Sequence, residues 1–231
     1  IPKTANVLIT YGGGSIKKNG VYDQVKQALK DHKVYEFGGI EANPEFETLM
    51  KAVNVAKEKN IDYLLAVGGG SVLDGTKFIA AAAKFQGKDA WDILAKNAPL
   101  TESIPLASVL TLPATGSEMN MGSVVSRREF KQKKAFLHPL SYPQFSVLDP
   151  NTLESLPKRQ KANGVVDAYT HVLEQYLTFP NEASIQDHWA EGVLKTLLVY
   201  GERYVLEDFN YEVASNIMWA ATTALNGMIG L

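Results

Sequence analysis

The run Tyr63 to Val67 (YLLAV) passes without a break into Gly68-Gly69-Gly70-Ser71 and then into Val72 to Lys84, a stretch with helical patterning. A strand that is apolar at every position is suited to burial on both faces, the situation of a central strand in a parallel sheet with helices packed on each side. Three glycines directly after it let the backbone come within hydrogen-bond reach of a pyrophosphate. The helix that follows adds free N–H groups and the positive end of its dipole. A tight turn with no ligand is the competing reading, although three glycines exceed what a turn needs. The spacing is not G-x-G-x-x-G, so this is not the ordinary dinucleotide fingerprint. Ser71 is expected to serve as both helix cap and phosphate donor. Asp74, placed in the first helical turn, would favour the dipole or orient a cofactor or substrate group.

The same strand, turn and helix plan recurs. Asn6 to Thr10 (NVLIT) leads into Tyr11-Gly12-Gly13-Gly14-Ser15 and the amphipathic stretch Val21 to Leu29. Val34 to Phe37 reads as a second strand. Asn43-Pro44-Glu45 reads as a helix start, with Asn43 as cap and Pro44 at the first helical position, ahead of an apolar face made by Phe46, Leu49, Val53 and Ala56. Leu106 to Leu112 is another buried strand. Gly122 to Arg127 and Lys134 to Leu137 form a hairpin around a basic turn, and Phe145 to Leu148 is the last strand. Beyond Asp149-Pro150 the pattern is helical: Pro157 to Leu177, Ile185 to Tyr200, and Tyr211 to the end. The fold class expected is therefore an α/β domain with a mostly parallel, Rossmann-like sheet over residues 1–150, followed by an all-α domain over residues 151–231. The chain starts without methionine just before a strand and stops inside an apolar helical pattern. It therefore reads as truncated at both ends.

Composition excludes several function classes. A formal charge of −2 and a pI near 6.1 give no electrostatic basis for binding nucleic acid or an anionic membrane surface. No apolar run approaches the ~20 residues of a membrane span. With no cysteine there is no disulfide, thiolate ligand or cysteine nucleophile, which is compatible with a reducing cytoplasm, and any metal must be held by His, Asp or Glu.

Among the remaining motifs, Gly12-Gly13-Gly14-Ser15-Ile16-Lys17-Lys18 repeats the glycine device. Where NAD binds, an acidic residue near the adenosine ribose accepts from its 2′-hydroxyl. Glycines, a serine and two lysines stand here instead, which favours NADP over NAD if a dinucleotide binds at all. Thr111 to Glu118 (TLPATGSE) places hydroxyls at a strand end, where ligands of open α/β sheets bind. A capping box from Thr115 to Glu118 explains it equally well. Lys133, in the hairpin, is either a solvated lysine or one that reaches a ribose or phosphate. In the segment Gly164 to Tyr176, Asp167 and His171 stand one helical turn apart on a stripe shared with Gly164 and Ala168. A carboxylate and an imidazole so placed either pair with each other or jointly hold a divalent cation. His32, His138 and His188 are expected in surface or core roles.

Taken together, GGGSVLDGTK at Gly68, TLPATGSE at Thr111, VLDP at Val147 and GVVDAYTHVLEQY at Gly164 resemble the iron-containing alcohol dehydrogenases over nearly the whole chain. YGGGS at Tyr11 resembles their NADPH-dependent branch, which includes butanol dehydrogenases and broad-range aldehyde reductases. The resemblance implies a two-domain, metal-dependent oxidoreductase, expected as a cytoplasmic homodimer, acting on a small alcohol or aldehyde. It implies that Gly69, Gly70 and Ser71 hold the cofactor pyrophosphate with Asp74 beside them. Thr111, Thr115 and Lys133 would contact its ribose and nicotinamide end, and Gly13, Gly14 and Ser15 would surround the 2′-phosphate of NADP. Asp167 and His171 would be two ligands of Fe2+, with Zn2+ an alternative occupant. The family uses two further histidines, and this chain has none after His188. A polyol dehydrogenase, a dehydroquinate-synthase-like relative and a non-catalytic nucleotide-binding module are the rival readings.

Overall fold

The computed structural model describes residues 1–178 and 182–230, which form two compact units. The first comprises residues 1–109 and 121–147, and the second residues 110–120 and 148–231.

In the first unit the strands β1 (Asn6–Thr10), β2 (Lys33–Phe37), β3 (Tyr63–Gly69), β4 (Leu106–Leu112) and β7 (Ser146–Val147) form one sheet in the order β2-β1-β3-β4-β7. Pairing is parallel between β1 and β2, β1 and β3, and β4 and β7. The helices are α1 (Val21–Ala28), α2 (Phe46–Glu58), α3 (Gly70–Lys84) and the short α4 (Asp92–Ala95). The alternation of side chains along a strand explains the continuous apolar runs. Leu8, Leu64 and Ala66 pack into one core with Leu49, Val53, Leu73 and Phe78 from α2 and α3. Val7, Ile9, Tyr63, Leu65 and Val67 face the opposite way, onto Val21 and Val25 of α1. Each fully buried leucine or isoleucine contributes about 1.5–3 kcal/mol relative to exposure, and the polar side chains buried among them are hydrogen-bonded, as Thr10 is to Thr76 at 2.6 Å.

An antiparallel hairpin, β5 (Gly122–Arg127) with β6 (Gln132–Leu137), is fastened to α3 and α2. The ammonium of Lys77, fully buried, donates to the Gly122 carbonyl at 2.8 Å, and the Ser123 hydroxyl donates to the Asp74 carbonyl at 2.7 Å. The Arg127 guanidinium lies over the rings of Phe46 and Phe130 at 4.5 and 4.3 Å.

Two helix starts differ from the sequence expectation, each for a local reason. Asn43 is in the left-handed region (φ 57) and does not cap α2. The Pro44 carbonyl accepts from the Ser126 N–H at 2.9 Å and Glu45 makes a parallel bridge to Ser126, so the chain there extends the hairpin and the helix waits until Phe46. The second case is α3, which begins two residues earlier than Val72, at Gly70. Extended backbone runs to Gly69 (ψ −171), leaving Ser71 inside the helix rather than capping it and Asp74 beyond the first turn. The turn is tight: a Cβ on Gly68 would stand 2.6 Å from Val72 Cγ2.

The second unit contains α5 (Lys158–Tyr176), α6 (Ser184–Leu206) and α7 (Tyr211–Ala224) around a core that includes Leu110, Leu153, Ala168, Val172, Leu197, Ile217 and Ala221. Residues 110–120 join it through side chains: the Thr222 hydroxyl donates to the Glu118 carboxylate at 2.6 Å, and Asn120 Nδ2 donates to the Leu225 carbonyl at 3.1 Å. Helix α7 does not run to the chain end as expected. It stops at Ala224, ahead of Asn226 and Gly227, which takes φ 89, and Leu231 lies outside the described residues. That Asn-Gly pair is an ordinary helix stop signal.

Glycine matters differently at two helical positions. A Cβ at Gly164 of α5 would stand 2.5 Å from the Pro113 carbonyl oxygen, whereas one at Gly192 of α6 would meet nothing within 4 Å. Gly192→Ala is expected to raise the urea midpoint, by roughly 0.5–1 kcal/mol of helix propensity. Gly164→Ala is expected to lower it, because an overpacking cost of about 1–3 kcal/mol exceeds that gain. Equal shifts of one sign for both variants would refute the close contact.

Candidate functional site

The sheet order defines a crevice. From β1 the chain first adds β2 on one side and then crosses back to add β3 on the other, so strand order reverses between β1 and β3. Ligands of open α/β sheets bind at such a switch point, outside the carboxyl ends of the strands. Both glycine turns lie there, Tyr11 to Ser15 after β1 and Gly68 to Ser71 after β3. They are neighbours in space: a Cβ on Gly12 would stand 3.2 Å from the Ile40 carbonyl oxygen and 3.7 Å from Val72 Cγ2. The 15-residue α3 directs its first, unpaired N–H groups and positive dipole end from Gly69, Gly70 and Ser71 toward this crevice.

Lys133 is brought to the same place. Its ammonium donates to Asn43 Oδ1 at 2.7 Å, and the Asn43 N–H donates to Ser71 Oγ at 3.3 Å. A cation and a hydroxyl separated by 62 residues thus share one connecting residue, Asn43, through its side chain and its backbone N–H respectively. Asn43 was missed by the sequence reading, which treated it as a helix cap, and its contacts are with residues 28 and 90 positions away. The Asp74 carboxylate accepts from the Val124 N–H at 3.0 Å and so fixes β5 against α3.

Around the first turn, Gly13 and Ser15 are exposed, and a Cβ at Gly13 or Gly14 would meet nothing within 4 Å. An acidic residue stands nearby after all. Glu36, paired in register with Ile9, is in β2 beside β1, and its carboxylate accepts from Lys17 Nζ at 3.1 Å and from the Tyr22 hydroxyl. Lys26 Nζ lies 3.7 Å from it.

In the helical unit, Asp167 and His171 are both on α5, with His171 Nε2 3.5 Å from Asp167 Oδ2. Two donors on one ion at about 2.1 Å and a near-tetrahedral angle stand roughly 3.4 Å apart, so this pair fits a divalent cation as two of its ligands. Glu174 lies on the other side of the ring, 3.9 Å from Nδ1. The hydrogen bond to Asp167 lifts the His171 imidazole above its ordinary pKa, with burial opposing it. Among the described residues no group of three or more His, Cys, Asp or Glu side chains could hold a metal ion. Thr111 and Thr115 belong to this unit too. Thr111 is buried, and the Thr115 hydroxyl accepts from the Ser117 N–H at 3.2 Å, while Glu118 is engaged by Thr222. His138 accepts from the Leu140 N–H and His188 contacts the Ser184 carbonyl, so both have local partners. Among the described residues no helix is long and apolar enough to cross a membrane.

Comparison with known proteins places this geometry in a family. The profile described as "Iron-containing alcohol dehydrogenase" matches residues 2–150. The chain is 57% identical to the NADPH-dependent aldehyde reductase YqhD of Escherichia coli K12, over 100% of this chain and 60% of that protein. It is 46% identical to the probable NADH-dependent butanol dehydrogenase 1 of Bacillus subtilis, again over 100% of this chain and 60% of the relative. A crystal structure of E. coli YqhD superposes with a TM-score of 0.97 at 56% identity, covering 100% of this chain and 60% of that one. For the NADH-dependent butanol dehydrogenase A of Thermotoga maritima the TM-score is 0.93 at 40% identity, with 98% of this chain and 57% of that one covered. The chain thus spans about 60% of the length of the curated relatives it matches. On the family profile over residues 2–150, the chain belongs to the iron-containing alcohol dehydrogenases, in keeping with relatives that match across the whole of this chain.

Proposed function

We propose that this chain serves a metal-dependent oxidoreductase that moves hydride between NADP(H) and a small alcohol or aldehyde. The observation that carries the reading is the pair of glycine turns at the β1/β3 switch point, tied to a hydroxyl and a cation through Ser71, Asn43 and Lys133. The names of the relatives in E. coli and B. subtilis support the reaction class while pointing to different nicotinamide cofactors. NADP is chosen for the open, basic surroundings of Gly13, Gly14 and Ser15.

In this reading residues 1–150 are the dinucleotide-binding domain and residues 151–231 the first part of a helical metal-binding domain. The N–H groups of Gly69 and Gly70 and the hydroxyl of Ser71 donate to a pyrophosphate, and Lys133 balances its charge. Asp74 acts behind them by holding β5, and hence the hairpin of Lys133, against α3. Thr111 and Thr115 offer hydroxyls for a ribose or nicotinamide. Asp167 and His171 would hold Fe2+, with Zn2+ an alternative that the same donors accept. When bound, the metal supplies Lewis-acid polarisation of the substrate oxygen and the dinucleotide supplies the hydride. A homodimer in the cytoplasm is the companion expectation, in keeping with the cysteine-free composition.

A second reading, a nucleotide-binding module without catalysis, draws on the same α5 geometry, because Glu174 faces Nδ1 rather than the Nε2 and Oδ2 pair. One set of measurements on this 231-residue protein separates the two. Ser71→Ala and Lys133→Ala are each expected to weaken NADPH binding about tenfold or more in calorimetric titration, the worth of a hydrogen bond to a charged group. Unchanged affinity in both would refute the phosphate assignment. In metal analysis after incubation with ferrous iron, Asp167→Ala and His171→Ala are expected to abolish uptake while leaving the NADPH affinity alone. Iron content that survives both substitutions defeats the ligand assignment, and an unsubstituted protein that binds NADPH but no iron supports the module reading.

A further inference from the structure

We propose that Glu118, Thr222 and Gln175 are positioning residues: they lock the turn that carries Thr115 to the helix that carries Asp167 and His171, and so register the nicotinamide end of the cofactor against the metal. The inference rests on the dinucleotide and metal readings above. It names side chains that act behind both sites without touching either ligand.

Three contacts form a closed triangle. The first joins the turn to α5. The Pro113 carbonyl oxygen comes so close that a Cβ at Gly164 would stand 2.5 Å from it, with Ala114 Cβ 3.8 Å away. Gly164 lies one helical turn before Asp167 and two before His171, so the turn meets α5 on the stripe of the ligand pair. The second contact joins the turn to α7. There the Glu118 carboxylate accepts from the Thr222 hydroxyl at 2.6 Å, and both side chains are buried. Asn120 Nδ2 adds bonds to the Leu225 carbonyl at 3.1 Å and the Thr115 carbonyl at 3.4 Å. Gly116, in the left-handed region with φ 61, lets the backbone approach, since a Cβ on it would stand 3.2 Å from the Thr222 carbonyl oxygen. The third contact joins the two helices. Gln175 Nε2 donates to the His171 carbonyl of α5 at 2.7 Å and to the Ala224 carbonyl at the end of α7 at 2.8 Å.

A turn fixed to one helix alone is free to pivot about it. A turn fixed to two helices that are also tied to each other is not. The division of the chain gives this rigidity a use. Gly69, Gly70, Ser71 and Lys133 belong to the first unit, whereas Thr111, Thr115, Asp167 and His171 all belong to the second. Holding the phosphates and registering the reacting end are thus separate tasks, and the second task lies within one unit. Register matters because a misplacement of about 1 Å at a reacting centre costs on the order of a hundredfold in rate.

The probes are NADP+ and Mn2+, a paramagnetic stand-in for Fe2+, added to the 231-residue protein and its variants. The readout is the paramagnetic relaxation of the nicotinamide C4 proton by the bound ion, which falls with the inverse sixth power of their separation. Only relaxation that Asp167→Ala abolishes is counted, which removes any due to an ion on the pyrophosphate. Calorimetric affinities for each probe are the controls for folding. The unsubstituted protein is expected to show strong relaxation of that proton. Thr222→Val, equal in shape but without the hydroxyl, is expected to reduce it several-fold with both affinities retained. Thr222→Ser, which keeps the hydroxyl, is expected to restore it. Gln175→Met, which keeps the volume of a partly exposed side chain and removes its amide, is expected to reduce it through a different edge of the triangle. A merely structural role would lower the melting temperature and leave the relaxation per bound ion unchanged. Unchanged relaxation in either Thr222→Val or Gln175→Met, or no recovery in Thr222→Ser, overturns the proposal and leaves both site readings intact. Binding of both probes without relaxation of the C4 proton in the unsubstituted protein also overturns it. Failure of that protein to bind NADP+ or Mn2+ overturns the corresponding site reading, and the proposal with it.

Discussion

The α/β unit depends on the burial of β3 on both of its faces. Tyr63, Leu65 and Val67 pack toward α1 while Leu64 and Ala66 pack toward α2 and α3, so the strand can end only by leaving the sheet at its carboxyl edge. It leaves through Gly68, where any side chain would collide with Val72 of the helix that follows at once. The tightness of that turn keeps Gly69, Gly70 and Ser71 at the edge of the sheet with their N–H groups unspent. An anion supplies what this helix start lacks, and no side chain caps it. The hydrophobic requirement of one strand therefore creates the polar opportunity beside it.

The parts of this plan that the sequence displays are those governed by neighbours along the chain. Apolar runs announced β1, β3 and β4, and helical spacing announced α2, α5 and the face of Phe46, Leu49, Val53 and Ala56. Asp167 and His171 were visible because one helical turn alone fixes their separation. What stayed hidden was decided by partners far away in sequence. Asn43-Pro44 has the composition of a helix cap, and Ser126 turned it into an extension of the hairpin. Residues 110–120 look like the end of the strand domain, and Thr222 and Leu225 draw them into the helical unit. Glu36 carries no signal of its own within the strand Val34 to Phe37, and Lys17 and Tyr22 converge on it only in the fold.

Small residues have a double use on α5. Gly164 and Ala168 are buried and let the helix lie against Pro113 and the surrounding core. Asp167 and His171 lie on the same stripe but keep side chains that are partly exposed. Close packing on one edge of the stripe fixes the helix, and the fixed helix holds the two donors at a spacing suited to one ion. Positioning of a ligand pair by backbone rather than by loop contacts keeps its geometry insensitive to the surface around it.

The two acids singled out by the fold differ in what their partners leave available. Asp167 meets the His171 imidazole one helical turn away, with Nε2 3.5 Å from Oδ2. Glu36 meets an ammonium and a phenol on separate oxygens, with a second ammonium in range. Its charge is spent inside the protein. Carboxylates of similar intrinsic acidity thus sit in opposite surroundings: Asp167 beside one imidazole of its own helix, and Glu36 among two ammonium groups and a phenol.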